Sequence, residues 1–300
     1  MTNHKNKHYQ GNLGILVVVA LLGIGFLITV FLHGTDITLF HPKGLIAIEQ
    51  HRLMFLTVAI MLVIAVPTLG LLYFFAWKYR ESNDRATYDS RTIGGKSFVF
   101  SIWAIPLVFF FVLASIMWSS THKLAPQKTI ASQTEPLTIQ VVALRWKWLF
   151  IYPEQNIATV NFAEVPVDTP IQFELTADEA PMNSFWIPHL GGMLYAMTGH
   201  DNRLNLMADT AGDYQGSAAE ISGAGFAGMK FTTRAGSQQD FDQWVQTVKQ
   251  SSSTLDDGEY QNLLTPSENN PARFYATAEP ELFSTVLAKY AGSHHHVGLE

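Results

Sequence analysis

Three long apolar stretches dominate the N-terminal part of the chain. Each runs for about 20 residues or more without a charged side chain, which is the length that a helix needs to cross roughly 30 Å of hydrocarbon. They are Leu13–Leu32, Leu53–Trp77 and Phe98–Trp118. Pro67 and Pro106 lie inside the second and third stretches, where a membrane helix tolerates proline with a kink. The pattern therefore predicts three transmembrane helices.

The first stretch also has the features of a signal peptide, because Lys5 and Lys7 precede it. Its apolar run is longer than a usual signal core, and no A-x-A cleavage pattern follows it before His33. We therefore expect a retained anchor, with cleavage as the alternative.

Basic residues indicate which side of the membrane each end occupies. The segment Lys78–Ser97 carries five Lys/Arg against three Asp/Glu, whereas the preceding loop offers only Lys43 and Arg52. Cytoplasmic loops are enriched in Lys and Arg, so Met1–Asn12 and Lys78–Ser97 are expected in the cytoplasm. The part of the chain that follows the third span is then outside.

The middle of each predicted span lacks ionisable residues. Proton and ion paths usually need such groups at membrane depth, so this chain alone is a poor candidate for a pump or a channel. We expect the spans to act as an anchor packed on a partner protein, although surface facing lipid would have the same composition.

From about Leu137 the periodicity changes to an alternation of apolar and polar residues, which is typical of half-buried strands. Trp146, Trp148, Phe150 and Tyr152 alternate in this way and are expected on one face of a single strand that ends at Pro153. Many short strands separated by turns favour an all-β sandwich or barrel. The other runs are Leu137–Val141, Ala158–Phe162, Ile171–Thr176, Phe185–Ile187, Leu204–Met207 and Lys230–Thr233.

Apolar residues return to helical spacing near the C-terminus, first at Phe241–Val248 and again at Leu282–Tyr290, with the polar stretch Ser251–Gly258 between them. The fold class predicted is thus a set of N-terminal membrane helices, a β-sandwich and a helical C-terminal appendix. The expected boundaries are 1–121 for the anchor, 122–235 for the outer domain and 236–300 for the appendix.

Charge and cysteine content narrow the function classes. Residues 1–121 carry nine Lys/Arg and five Asp/Glu, whereas 122–300 carry ten and twenty, so an acidic outer part follows a basic anchor. Without a basic face, nucleic acid is not an expected partner. The chain has no cysteine, which excludes disulfides, thiolate metal sites and cysteine nucleophiles.

Several strings occur together in the order found in one family. The chain resembles subunit 2 of bacterial cytochrome bo-type ubiquinol oxidases, within the haem-copper oxidase superfamily, over about His41 to Tyr290. The strings are His41–Leu45 with Glu49-Gln50, Phe75–Arg80, Thr121–Pro126, Trp146–Trp148 with Tyr152–Gln155, Met182–Pro188 and Gly225–Lys230.

The resemblance implies that the outer domain has a cupredoxin-like fold. In the related cytochrome c oxidases this domain holds a dinuclear copper centre, built from two thiolates, two imidazoles, a thioether and a backbone carbonyl. The relatives' pattern is a His before Ser-Phe-x-x-Pro, then Cys-x-Glu-x-Cys-x-x-x-His-x-x-Met. Here Asn183, Ala218, Ser222 and Phe226 stand at the His and Cys positions, and only Glu220 and Met229 are retained. We therefore expect that this chain binds no copper.

The same resemblance implies a function for the complex: oxidation of ubiquinol, reduction of oxygen to water and translocation of protons across the bacterial cytoplasmic membrane. It implies a large subunit that holds the haems, the remaining copper and the quinol site. This chain would have no catalytic residue and would contact the large subunit, other oxidase subunits and membrane lipid, but not cytochrome c. Its outer domain would be periplasmic. Menaquinol remains an alternative donor.

Some individual residues have competing interpretations. Relatives often carry a Glu near a cytoplasmic proton entrance, four residues before the Trp of the last span, where this chain has Val99. Trp146 and Trp148 stand where copper-bearing relatives pass electrons, and without copper we expect them to pack in the core or at an interface. The tract His294–His296 is more typical of a terminal tail than of a metal site.

Two alternative functions remain. A cytochrome c oxidase subunit 2 would use a different electron donor, and the missing ligands disfavour it. A copper-free, membrane-anchored β domain for binding or assembly would have no oxidase partner at all.

Overall fold

The computed structural model describes residues 23, 38–85 and 95–291. Apart from Gly23, the first predicted span Leu13–Leu32 lies outside the described residues, and so does the tract His294–His296. The chain divides into two units, Met1–Pro42 and Lys43–Glu300. The helices and strands with described bounds all belong to the second unit.

Two long apolar helices precede the strands. Helix α1 spans Leu45–Lys78 and helix α2 spans Lys96–Lys123, and both are long and apolar enough to cross a membrane. They contain the predicted spans Leu53–Trp77 and Phe98–Trp118, so these two predictions are confirmed. Helix α1 begins eight residues before its predicted span, and its first residues are hydrogen-bonded to the outer domain. At this end of α1, Glu49 forms an ion pair with Lys123 of α2, with an Nζ–Oε2 distance of 2.9 Å.

Eleven strands lie within the described residues and form two sheets. The first sheet has the order β11-β3-β2-β1-β5-β8 and the second has the order β4-β10-β9-β6-β7. The strands are β1 (Leu137–Leu144), β2 (Lys147–Tyr152), β3 (Ile157–Val160), β4 (Phe162–Pro166), β5 (Ile171–Ala177), β6 (Asn183–Trp186), β7 (Leu194–Ala196), β8 (Asn202–Leu206), β9 (Gly212–Ala218), β10 (Lys230–Gly236) and β11 (Arg273–Tyr275).

An aromatic core fills the space between the two sheets. Side chains alternate along a strand, so Trp148, Phe150 and Tyr152 of β2 all point into this space and are fully buried. Phe185 of β6 and Phe231 of β10 meet them from the second sheet, stacked on each other at a centroid distance of 4.9 Å. The predicted β-sandwich is confirmed.

A second core lies on the other face of the first sheet. The alternation of β2 predicts one exposed face, but Leu149 and Ile151 on that face are buried as well. The C-terminal segment covers them with Leu263 and Phe283. The helices of this segment are α3 (Gln238–Lys249), α4 (Asp257–Leu264) and α5 (Leu282–Ala291), of which α3 and α5 match the predicted helical runs.

Two local predictions are wrong. Trp146 does not belong to strand β2, because it occupies the turn before it with a φ of 63°, in the left-handed region. The run Ala158–Phe162 is not one strand either. Asn161 has a φ of 55°, and this turn sends the chain from β3 in the first sheet to β4 in the second.

The membrane helices are hydrogen-bonded to the base of the sandwich. Leu45 N donates to Met207 O at 3.2 Å and Ala47 N donates to Leu190 O at 3.1 Å. A Cβ on Gly44 would lie 2.7 Å from Met207 O, so this close approach requires glycine. Just after the C-terminal end of α2, Pro126 O accepts two hydrogen bonds from Asn205, one from its backbone nitrogen and one from its side-chain nitrogen, each at 3.0 Å. These bonds fix the orientation of the sandwich relative to the start of α1.

Candidate functional site

One corner of the second sheet brings together the six positions that the sequence comparison singled out. Asn183 begins β6 and Ala218 ends β9, and these two strands pair through Phe185 and Ala218. Ala218 N donates to Met229 O at 3.0 Å, which closes the loop that leads into β10. Glu220, Ser222 and Phe226 lie on that loop. We call this region, Asn183 together with Ala218–Met229, the β6/β9 corner.

Trp146 shapes the loop of the β6/β9 corner. Its indole Nε1 donates to Ser222 O at 3.3 Å, and its ring lies where a Cβ on Gly225 would approach to 2.5 Å. Gly223 next to it has a φ of 116°, which other residues rarely adopt. The two glycines and the left-handed turn at Trp146 therefore belong to one packing arrangement.

Two buried polar atoms of the corner have no hydrogen-bond partner among the described residues, namely Asn183 Oδ1 and Ser222 Oγ. Asn183 uses its Nδ2 to donate to Pro181 O at 2.7 Å. Such unpartnered atoms cost about 1–3 kcal/mol each. Each of these two side chains therefore keeps one oxygen buried without a partner among the described residues.

The donor set of the corner does not fit a dinuclear copper centre. Such a centre needs soft thiolates and imidazoles, and the corner offers an amide, a hydroxyl, a carboxylate at Glu220 and the buried thioether of Met229. Over residues 38–85 and 95–291 no group of three or more His, Cys, Asp or Glu side chains could hold a metal ion. His189 packs against Tyr214 at 5.7 Å, and His200 Nδ1 lies 3.0 Å from Thr198 O.

Trp148, the other tryptophan of interest, lies in the aromatic core. It is fully buried, with its ring edge-on to Phe185 at 5.3 Å and to Phe231 at 5.9 Å. Its backbone N donates to Asn161 Oδ1 at 2.8 Å. A packing role for Trp146 and Trp148 remains a prediction, and these contacts are compatible with it.

A cavity of about 680 Å³ opens beside the corner. Its lining includes Trp146 and Ser222 from the corner and its neighbourhood, Arg145 and Glu179, and Tyr290 of α5. The cavity therefore lies between the corner and the last helix, α5.

Next to this cavity, a buried carboxylate fastens the C-terminal segment to the sandwich. The Asp178 side chain is 1% exposed, and it accepts hydrogen bonds from Tyr260 (2.6 Å), Tyr290 (2.7 Å) and Lys289 (2.8 Å). Burial and the bond to Asp178 raise the pKa of Tyr260, so its hydroxyl keeps the proton that it donates. Sequence reasoning missed this cluster, which we call the Asp178 clamp, because Asp178 and Lys289 are 111 residues apart.

Lys147 makes a second attachment. Its buried Nζ donates to Leu263 O at 2.9 Å and to Thr265 O at 2.8 Å, at the C-terminal end of α4. The carbonyls at a helix C-terminus attract a positive charge. Burial lowers the pKa of Lys147. The attachment gives a reason for the lysine between Trp146 and Trp148, which the sequence pattern alone did not explain.

Glu164 on β4 is a buried acid that sequence reasoning also missed. It is 4% exposed, and its Oε2 has no partner among the described residues. Burial raises its pKa from 4.5 to about 7, although Arg234 on the neighbouring strand opposes the shift. Its backbone N and O both bond to the Tyr152 hydroxyl, at 2.9 and 3.0 Å.

Comparisons with known proteins show which family the chain resembles. The COX Aromatic Rich Motif matches residues 249–294, a stretch that includes α4, β11 and α5. The chain is 46% identical to cytochrome bo(3) ubiquinol oxidase subunit 2 of Pseudomonas putida over 286 residues, which cover 95% of this chain and 88% of the relative. It is 43% identical to ubiquinol oxidase subunit 2 of Acetobacter aceti, covering 92% of this chain and 90% of that one.

The chain belongs to the ubiquinol oxidase subunit 2 family. The resemblance inferred from the ordered strings is thereby confirmed. Family membership and the observed sandwich agree with the expected cupredoxin-like class. Among solved structures, the periplasmic domain of subunit II of cytochrome oxidase from Bradyrhizobium japonicum is similar, with 23% identity and a TM-score of 0.37. The match covers 39% of this chain and 96% of that domain.

Proposed function

We propose that this chain is the second subunit of a terminal oxidase that oxidises ubiquinol and reduces oxygen to water, with translocation of protons. Each oxygen molecule takes four electrons and four protons, so two ubiquinols yield two ubiquinones and two waters. The haems, the remaining copper and the quinol site belong to the large subunit. This chain contributes no catalytic residue.

The β6/β9 corner is the observation that carries the proposal. By the resemblance, it corresponds to the dinuclear copper centre of the relatives that accept electrons from cytochrome c, and Asn183, Ala218, Ser222 and Phe226 supply neither thiolate nor imidazole. A quinol dissolved in the membrane delivers electrons within the bilayer. The outer domain therefore needs no copper relay, and the chain has no use for cytochrome c.

The role of the chain in the complex is then to anchor and cover the large subunit. Most apolar side chains of α1 and α2 are exposed in this chain by itself, for example Trp103 at 76% and Phe100 at 73%. Such surface is stable only against lipid or another protein. We place the helices in the bacterial cytoplasmic membrane and the sandwich in the periplasm, as the basic segment Lys78–Ser97 supports.

The absence of a carboxylate at Val99 belongs to the same proposal. Val99 lies on the first turn of α2 and is 46% exposed. A valine cannot relay a proton, so we propose that protons enter the complex through another subunit.

We also propose the division into an anchor (1–121), an outer domain (122–235) and an appendix (236–300). The second boundary is supported by the end of β10 at Gly236, directly before α3. Ser237 caps α3 through a reciprocal pair of bonds with Asp240, which starts a new element there.

Purification of the tagged chain from its native membrane tests the function. The expected result is a complex with a haem-bearing large subunit that consumes oxygen when supplied with ubiquinol. Recovery of the chain without any haem protein would favour the alternative of a β domain for binding or assembly. Copper in excess of that bound by the isolated large subunit would favour a cytochrome c oxidase and contradict the ligand argument.

A further inference from the structure

An apolar groove runs between α1 and α2 at the end of the helices nearest to the sandwich. Its volume is about 640 Å³. On α1 it is lined at positions 50, 53 and 57, and on α2 at positions between 110 and 124. These spacings follow one face of each helix. We call it the interhelical groove.

The lining changes from polar to apolar along the groove. Gln50 of α1 and Ser120 of α2 lie at the end near the sandwich, whereas Phe110 and Leu113 lie deeper in the span. Thr57 is also deeper, but its hydroxyl donates to Leu53 O of the same helix at 2.9 Å. A phospholipid has the same order of chemistry, with a polar head at the membrane surface and acyl chains toward the centre.

Charge at the polar end suits a phosphate. Glu49 is paired with Lys123 at 2.9 Å and with Arg52 at 3.3 Å. Two cations against one carboxylate leave one positive charge at this end, and Arg52 is 71% exposed and accessible to a headgroup. A positive side chain next to a span attracts the phosphate of a lipid headgroup.

The size of the groove suits the acyl chains of a lipid. From Phe110 to Leu124 the helix rises about 21 Å at ~1.5 Å per residue, against roughly 15 Å for half of the hydrocarbon core. Acyl chains with carbon contacts near 4 Å need roughly 300 Å³ each over the same length. The groove at about 640 Å³ therefore has room for two acyl chains.

We propose that the interhelical groove holds one phospholipid of the leaflet next to the sandwich, with its acyl chains between α1 and α2 and its phosphate at the Arg52 end. The proposal rests on the placement of the two helices in a membrane and not on the quinol chemistry. It therefore survives or fails separately from the proposed function.

Photo-crosslinking in the detergent-purified complex tests the occupant. A photoreactive benzoylphenylalanine replaces Leu113, which lines the groove, and in a matched control it replaces the neighbouring Val112, which does not. After irradiation the mass of this chain is measured. The expected result is a phospholipid adduct whose yield is several-fold higher from position 113 than from position 112. An adduct with a quinone, with a peptide of another subunit or with residues 1–37 would overturn the proposal, and so would equal yields.

Two further variants test the chemistry of the groove. Ala114→Phe, combined with the probe at position 113, should fill the groove and reduce the adduct to the level of the control position, while haem content reports that the complex has assembled. If that variant does not assemble, Ser120→Leu takes its place. Arg52→Gln should lower the yield several-fold, whereas Lys128→Gln, outside the groove, should not. A full adduct yield in Ala114→Phe or Ser120→Leu would overturn the placement of the lipid in the groove. A full adduct yield in Arg52→Gln would overturn the placement of its phosphate.

Discussion

At the scale of single residues, burial decides what each polar side chain of the outer domain contributes. Within the described part of the chain, Asn183, Ser222 and Glu164 each have a buried oxygen without a hydrogen-bond partner. The buried Lys147 ammonium instead donates to carbonyls at the end of α4. The sequence identifies each of these residue types but not its burial. Burial depends on which distant segment covers the residue, and a pattern of neighbours along the chain does not contain this information.

Glu164 makes the stability of the outer domain depend on pH. Its pKa of about 7 in the folded chain lies above the ordinary 4.5. The folded state then binds the proton more tightly than the unfolded state, so stability is highest below about pH 4.5 and falls as the pH rises to about 7. Glu164→Gln should remove this loss and raise the free energy of unfolding at pH 8 by roughly 1–3 kcal/mol.

Thermal unfolding of the complex between pH 4.5 and pH 8, followed by the signal of the outer domain, measures this effect. The exposed Glu154→Gln is the matched control and should keep the slope of the native chain. A Glu164→Gln variant with an unchanged slope would show that the carboxylate is not held in its neutral form.

Trp146 is predicted to stabilise rather than to conduct electrons. Trp146→Phe removes the indole bond to Ser222 O but keeps most of the ring that packs on Gly223 and Gly225. We expect a loss of about 1 kcal/mol in stability and an unchanged rate of quinol oxidation in the assembled complex. A large fall in that rate, with haem content and assembly intact, would contradict the packing role.

At the scale of elements, periodicity predicted what is regular and missed what depends on single turns. The two described spans, the strands β1, β2 and β5 and the helices α3 and α5 follow from spacing alone. The switch between sheets at Asn161 depends on one left-handed residue. Helix α4 has eight residues, which are too few for a long amphipathic pattern. It is held instead by Lys147 and by its cap at Asp256.

The attachment of the C-terminal elements is predicted to depend on the Asp178 clamp. Asp178→Asn keeps the shape of the side chain but removes the charge that faces Lys289. It also replaces one of the two oxygens that accept from Tyr260 and Tyr290 with an amide nitrogen that cannot accept. Breaking a buried ion pair costs about 3–5 kcal/mol, less here because Lys289 is 42% exposed and reaches water. We expect a loss of roughly 2–3 kcal/mol and faster proteolysis within 265–291.

The neighbouring Glu179→Gln is the control, because that side chain is 53% exposed and makes only the outer bond to Lys289. Limited proteolysis of the assembled complex compares the two variants. Equal cleavage of both would show that the clamp does not hold the segment.

At the scale of the whole molecule, the chain combines two long apolar helices, which we propose as the membrane anchor, with a cupredoxin-like outer domain, which we propose holds no copper. The ordered strings predicted which segments would meet at the corner, and the structure brings Asn183 and Ala218–Met229 together. That these positions correspond to the relatives' copper ligands stays a prediction. The sequence was not sufficient to show how the sandwich is attached to the two long helices. That attachment depends on the close approach of Gly44 to Met207 and on the bonds from Asn205 to Pro126, which join residues far apart in the chain.

Oxygen consumption by the purified complex, with ubiquinol or reduced cytochrome c as the only electron donor, tests the central claim most directly. We predict rapid consumption with ubiquinol and none above background with cytochrome c, because the β6/β9 corner lacks the donors of a copper relay. Sustained consumption driven by cytochrome c would contradict this account.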